Sequence, residues 1–231
     1  MGEVTREAQY GFLLDLDRQG ARQSFGLMSS ATWHQDPKRL AFLLSRYKFV
    51  SRMLDGQARV VEIGCADAFG SRIVRQSVGS LTATDFDPVF IEDARAVADP
   101  AWPIEFIVHD MLQGAFSSPF SAAYALDVLE HISPADEERF LSNLRSSLTS
   151  DGVAVVGMPS LESQLYASAA SKEGHVNCKS GEDLRSTLQG HFEHVFMFSM
   201  NDEVVHTGFL PMAHYLLALC VTPRPGTSSP R

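Results

Sequence analysis

The chain has 231 residues, 45% hydrophobic and 10% aromatic, enough apolar material for one large core and too much for a disordered or fibrous chain. A formal charge of -9 and a pI near 5.3 argue against a duplex nucleic-acid partner, whose phosphates call for a basic surface. Cys65, Cys178 and Cys220 are too scattered for a disulfide framework or a zinc spacing, and no apolar run reaches the ~18 residues of a membrane span.

The N-terminal MGEVTREAQYGF lacks a signal-peptide pattern, so a soluble cytoplasmic protein is expected. Further on, Asp36 and Pro37 read as a helix N-cap with proline in the first turn. Leu40, Leu43, Leu44, Tyr47, Val50 and Leu54 then recur at helical spacing. Lys38, Arg39, Arg46, Lys48, Arg52 and Arg59 crowd into the same stretch, either as a solvated helix face or as a collar for an anionic substrate.

From residue 58 the pattern alternates. Short apolar strands at 58–63, 81–84, 104–108, 122–126 and 153–158 are separated by helical or polar segments, the order of a parallel sheet with helices on both faces. Ser133, Pro134 and Asp136 read as a capping box opening a helix, and Ser180 with Asp183 repeats the signal. Two β-rich runs, 192–200 and 212–221, are joined by eleven residues, too few for a helical crossover. The fold class expected is therefore α/β, a Rossmann-like doubly wound sheet of five parallel strands plus a C-terminal antiparallel hairpin, seven strands in all. Residues 57–222 form this domain and the Pro, Gly and Ser-rich 223–231 a disordered tail.

In such a sheet ligands bind outside the carboxyl ends of the strands, where the winding reverses. VVEIGCADAFG, residues 60–70, is the first strand and its turn. A dinucleotide fingerprint would need glycines where Ala66 and Phe69 stand, which weakens the alternative of an NAD-dependent oxidoreductase. Asp85 ends the second strand twenty-one residues after Gly64, where an acid accepts both hydroxyls of an adenosine ribose.

Glu62-x-Gly64-x-Ala66-x-Ala68, with Asp85 after it, resembles the E/D-x-G-x-G-x-G signature of class I S-adenosylmethionine-dependent methyltransferases of the small-molecule type. The resemblance runs over about residues 40 to 221, and its cofactor would be S-adenosylmethionine. It implies that Glu62, Gly64, Cys65 and Ala66 form the cofactor loop, with Phe86 beside Asp85 as a wall for adenine. Asp110 and the Met111 amide would lie near the adenine amino group, and Asp127 and Val128 in ALDVLEHI would line the cofactor. Residues 1–56 would be a helical acceptor lid, with Trp33 and His34 toward the substrate and Tyr47 and Lys48 toward the cofactor carboxylate.

Methyl transfer from a sulfonium is an in-line displacement that needs a base only for a reluctant acceptor. The candidate bases are His131, beyond the fourth strand, then His175 in GHVN, then His206. No metal is expected, because Asp127 and Asp151 lack a third ligand. The absence of an N/D-P-P-Y/F run argues against nucleic-acid modification. The expected reaction is methylation of an oxygen or nitrogen of a small molecule, such as a sugar or another anionic metabolite; the alternative is a non-catalytic cofactor-binding protein of the same fold. No membrane or nucleic-acid partner is expected, and homo-oligomer formation through the apolar run at Tyr215 and Leu216 is left open.

Overall fold

The computed structural model describes residues 4–226. Helices α1 (Gly11–Arg18), α2 (Leu27–Gln35) and α3 (Lys38–Met53) precede a parallel set of strands: β1 (Arg59–Ile63), β2 (Ser80–Asp85), β3 (Glu105–Val108), β4 (Phe120–Leu126) and β5 (Leu148–Pro159). Between them lie α4 (Ser71–Arg75), α5 (Pro88–Ala96) and α6 (Glu137–Ser146). After β5 come α7 (Ala169–Gly174), α8 (Gly181–Gln189), β6 (Phe192–Asn201), β7 (Val204–His206) and β8 (Tyr215–Pro223). The sheet order is β3-β2-β1-β4-β5-β8-β6-β7.

Adjacent residues Val60 and Val61 are both fully buried, which strand alternation permits only if both sheet faces are covered. On one face Tyr47, Val50, Leu54 and Val74, from α3, α4 and the end of α3, pack on Val60, Tyr124 and Leu217. On the other, Phe140, Leu141 and Leu144 of α6 with Leu184 and Leu188 of α8 pack on Val61, Ala123 and Val156. Strand β1 pairs with β2 on one side and β4 on the other, so the winding reverses between β1 and β4. That reversal opens a crevice at the strands' carboxyl ends.

Among the described residues the expected seven strands are eight. Strand β7 comes from the eleven-residue connection, where Asp202 takes a φ of 49° and lets Asn201 pair with Val204. Strand β6 leaves an unpaired outer edge, and Val204 and Val205 are β-branched residues suited to cover it, but a three-residue strand leaves no periodicity to read. The hairpin is antiparallel as expected, and β8, its later strand, lies inside the sheet between β5 and β6.

Two terminal readings shift. The Ser133 hydroxyl donates to Asp136 Oδ2 at 2.8 Å, and α6 starts only after Asp136, because Pro134 and the turn residues ahead of it are not helical. Ser180 caps α8 as expected, accepting from the Asp183 amide at 3.1 Å. Pro223 belongs to β8, and Arg224 is tied to the carbonyls of Gln189 and Phe192 at 2.9 and 3.1 Å, so the chain is still anchored where the tail was expected to start. Residues 227–231 of that tail lie outside the described residues.

Candidate cofactor and acceptor site

The turn after β1 is built on left-handed backbone. Gly64, Ala66 and Ala68 have φ of 76°, 46° and 54°, so the two alanines adopt the conformation glycine would favour, at a cost of about 1 kcal/mol each. The bend is held by donors from its own amides. Gly64 and Cys65 amides both donate to the Thr84 carbonyl (2.8 and 2.9 Å), and the Ala66 amide donates to Asp85 Oδ2 (3.0 Å). A Cβ on Gly64 would collide with Val128 Cγ2, so the segment after β4 packs directly on the bend. Val128 thus shapes the loop from below.

Glu62 does not face the crevice, contrary to the expectation for a cofactor contact. Its side chain is 1% exposed and accepts hydrogen bonds from the hydroxyls of Tyr47 (2.9 Å), Tyr124 (2.8 Å) and Ser71. Strand alternation turns it inward, under the loop, where it joins α3, α4 and β4. Burial raises its pKa to about 7 against the pull of the three hydroxyls. Tyr47 lines the cleft but is only 7% exposed, with its hydroxyl donating to Glu62, and Lys48 is exposed outside the cleft. The Cys65 thiol is buried, and burial raises its pKa.

At the next strand Asp85 is 6% exposed, its Oδ2 taken by the Ala66 amide and its Oδ1 by the Asp87 amide at 3.0 Å. Each oxygen keeps a second lone pair. Phe86 is 72% exposed, which rules out core packing as its role. Asp110 accepts from the Leu112 amide (2.8 Å) and from Gln113 Nε2 (3.3 Å), closing its own turn, while the Met111 side chain is buried.

Between the ends of β1, β4 and β5 lies a cleft of about 770 Å³. Asp127 enters it on left-handed backbone (φ 56°) and forms an ion pair with Arg46 at 2.6 Å. The Arg46 guanidinium also lies 3.7 Å above the Tyr215 ring. Arg46 Nε and the Tyr215 hydroxyl are buried with no hydrogen-bond partner among the described residues. Burial, then Asp127, raises the Tyr215 pKa.

Across the cleft stand three further groups. Glu130 is fully buried, both carboxylate oxygens lack a partner, and burial followed by the charge of Asp127 pushes its pKa well above the usual range. The rings of His131 and His175 are 5.1 Å apart. His131 Nδ1 lies 2.9 Å from the Gly174 carbonyl and His175 Nδ1 2.9 Å from Gln164 Oε1. Burial, then the neighbouring His131, lowers the His175 pKa. The two candidate bases thus come together although forty-four residues separate them.

Other expectations fare differently. His206 is bonded to Asn201 Oδ1 at 2.9 Å on β7 and does not line the cleft, because the hairpin carries it to the outer edge of the sheet. Trp33 packs on Phe25 at 5.7 Å, and Met28, Ser29 and Thr32 of α2 line the cleft in place of Trp33 and His34. Of the basic run, Arg39 and Arg46 reach the cleft, and Arg59 sits by Phe120 at the opposite end of the sheet. Asp151, ahead of Val153, which pairs with Ala122, is also at that far end from Asp127. Sequence reading missed Arg46 as the partner of Asp127, Glu130, and His214, which β8 brings to the cleft rim. The signal for Glu130 was its place between Asp127 and His131; for His214 there was none before the sheet order was known.

Residues 60–152 match the family model described as "Methyltransferase domain". No curated protein matches the sequence. Among solved structures, the N-methyltransferase NodS from Bradyrhizobium japonicum WM9, in complex with S-adenosyl-l-homocysteine, is 18% identical, with 91% of this chain and 98% of that chain covered at a TM-score of 0.60. The complex of the Haloferax volcanii Trm112 methyltransferase activator with a methyltransferase gives 15% identity, 88% and 99% coverage, and a TM-score of 0.65. The plantazolicin methyltransferase BpumL, in complex with SAH, gives 13%, 93% and 93%, and 0.63. At these identities the structural likenesses establish the fold, and the domain match agrees with it.

Proposed function

We propose that this class I, S-adenosylmethionine-dependent methyltransferase delivers its methyl group to an oxygen or nitrogen of a small molecule, with an anionic metabolite such as a nucleotide-linked sugar as the acceptor class. The carrying observation is a cleft at the switch point lined by the left-handed small-residue loop and by the Arg46–Asp127 pair with its unfilled Nε, with the Asp85 carboxylate, which keeps spare lone pairs, bonded to the Ala66 amide of that loop. In this reading both ends of the cofactor find partners. Asp85 accepts the ribose hydroxyls, with Phe86, Asp110 and Met111 around the adenine. Arg46 Nε and the Tyr215 hydroxyl, buried and unpaired, are donors for the methionyl carboxylate, and Asp127 is the acceptor for its ammonium.

The bound cofactor supplies an electrophilic methyl on a sulfonium. The chain aligns the acceptor with it, and alignment alone supplies several kcal/mol, about 7 or more in favourable cases. The Gly174 carbonyl can only accept, so His131 carries its proton on Nδ1 and its Nε2 keeps a free lone pair. His175, bonded through Nδ1 to Gln164 Oε1, is in the same tautomer. Either Nε2 can take the proton that an acceptor hydroxyl loses as its oxygen bonds to the methyl carbon. Exposed Arg39 at the cleft rim favours an acceptor with a negative group.

Calorimetric titration tests the cofactor: S-adenosylmethionine and S-adenosylhomocysteine bind and NAD does not. Binding of NAD alone would return the dinucleotide reading. Incubation with a metabolite extract and the cofactor then yields species gaining one methyl; cofactor binding with no such species would leave a non-catalytic binder. For the acceptor class, Arg39→Ala weakens an anionic acceptor and flattens the salt dependence of its KM, with neutral acceptors unchanged.

A further inference from the structure

We propose that Glu130, His131 and His175 form a binding site for one divalent first-row transition-metal cation in the wall of the cleft. The ligand atoms these residues offer all lie within 4.8 Å of one another. Around a bound ion they would stand about 3 to 3.5 Å apart, given metal–ligand bonds of about 2.0 to 2.2 Å. Small rotations of two imidazoles close that difference.

Beyond their proximity, the state of each group favours a cation. Both oxygens of Glu130 are buried with no hydrogen-bond partner among the described residues, an arrangement that disfavours the free carboxylate and that a bound cation would relieve. The nearest guanidinium, Arg46, is already committed to Asp127 at 2.6 Å. His131 and His175 are each anchored through Nδ1, to the Gly174 carbonyl and to Gln164, leaving both Nε2 lone pairs free. An oxygen partner on the far nitrogen is how ligand histidines are held in the right tautomer and orientation.

The scaffold is braced as well. The Glu130 carbonyl accepts the amides of Val176 (2.8 Å) and Asn177 (3.0 Å), so the loop carrying His175 is fastened to the backbone of the first ligand. Glu137 of α6 then holds the same loop through Asn177 Nδ2 (2.6 Å) and Lys179 Nζ (2.9 Å). Two imidazoles and one carboxylate suit zinc, iron, cobalt or manganese better than magnesium or calcium, whose shells are built from oxygen. Three protein ligands leave positions open for water or an acceptor hydroxyl, whose pKa the ion lowers, so in the metal-bound form the ion takes over from the occupied Nε2 atoms the task of easing the hydroxyl's loss of its proton.

The site goes beyond the methyl-transfer reading and is tested without cofactor or acceptor. Full-length protein is stripped with a chelator and titrated with Co2+ by its visible absorption, and with Zn2+ in competition with a chromogenic chelator. One ion binds per chain, and Zn2+ raises the melting temperature. His175→Ala, at a partly exposed side chain, and Glu130→Gln each weaken binding at least ~10-fold and abolish the melting shift, whereas His206→Ala changes neither. Should Glu130→Gln fail to fold, His175→Ala carries the test. Absence of uptake at micromolar free ion, or uptake that survives His175→Ala, overturns the proposal.

Discussion

Ala66 is the residue where the bend after β1 carries local strain. Its φ of 46° is unfavourable for alanine, so Ala66→Gly is expected to be neutral or stabilising by up to about 1 kcal/mol, the reverse of the usual sign for Ala→Gly. Chemical denaturation reads it. Glu62 makes a prediction of the opposite kind. Its folded pKa is raised to about 7 by burial, above an unfolded value near 4.5, so its contribution is complete below about pH 4.5 and lost as pH rises through 7. Across that interval the loss amounts to roughly 3 kcal/mol. Glu62→Gln should therefore flatten the fall in unfolding free energy between pH 5 and 8, and an unchanged slope would mean that another group controls it. Asp85→Ala should weaken S-adenosylhomocysteine binding by about 1.5 to 3 kcal/mol by calorimetry, as a charged acceptor is lost.

Among the elements, α2 is the one whose position is set by polar clasps. The Asp67 carboxylate accepts from the Ser29 amide (2.6 Å), its hydroxyl (3.1 Å) and the Phe69 amide (3.2 Å), and Asp93 accepts from the Leu27 amide at 2.6 Å. Two carboxylates thus hold the start of the helix where its free amides point, an arrangement the helix dipole favours. The clasp links α2 to the bend after β1 through a single side chain. Asp67→Ala is expected to speed amide exchange across residues 27–35 while β1 stays protected, with a loss of about 1 to 3 kcal/mol in global stability. Equal exchange in both segments would show that α2 unfolds with the core. Helix α1, by contrast, buries none of its residues.

For the whole molecule, the insertion of β8 between β5 and β6 is decisive. The chain's last strand completes both neighbours' hydrogen bonding and supplies Leu216, Leu217 and Ala218, all fully buried, to the two faces of the sheet. Leu217→Ala should cost about 2 to 5 kcal/mol in denaturant unfolding, with a single transition, because no part of the sheet is independent of it. The same strand delivers Tyr215 under Arg46 and His214 to the cleft rim, so global topology and the site are one construction. Among the described residues no helix is long and apolar enough to cross a membrane.

The sequence by itself determined the alternation of strands and helices, the five parallel strands and the antiparallel return, because these rest on local periodicity and on turns a few residues long, while Asp127 was singled out by a family resemblance. The bend at 64–68 was legible for the same reason: small residues after a buried strand leave few conformations open. What only the tertiary structure decided were relations between distant segments: Glu62 turned inward to three hydroxyls, Arg46 paired with Asp127 eighty-one residues away, and Glu130 beside His131 and His175. Side-chain burial and charge pairing depend on which strands become neighbours, and no window of sequence contains that information. The position of β8 inside the sheet was settled in the same way, by the burial of apolar surface on both its faces.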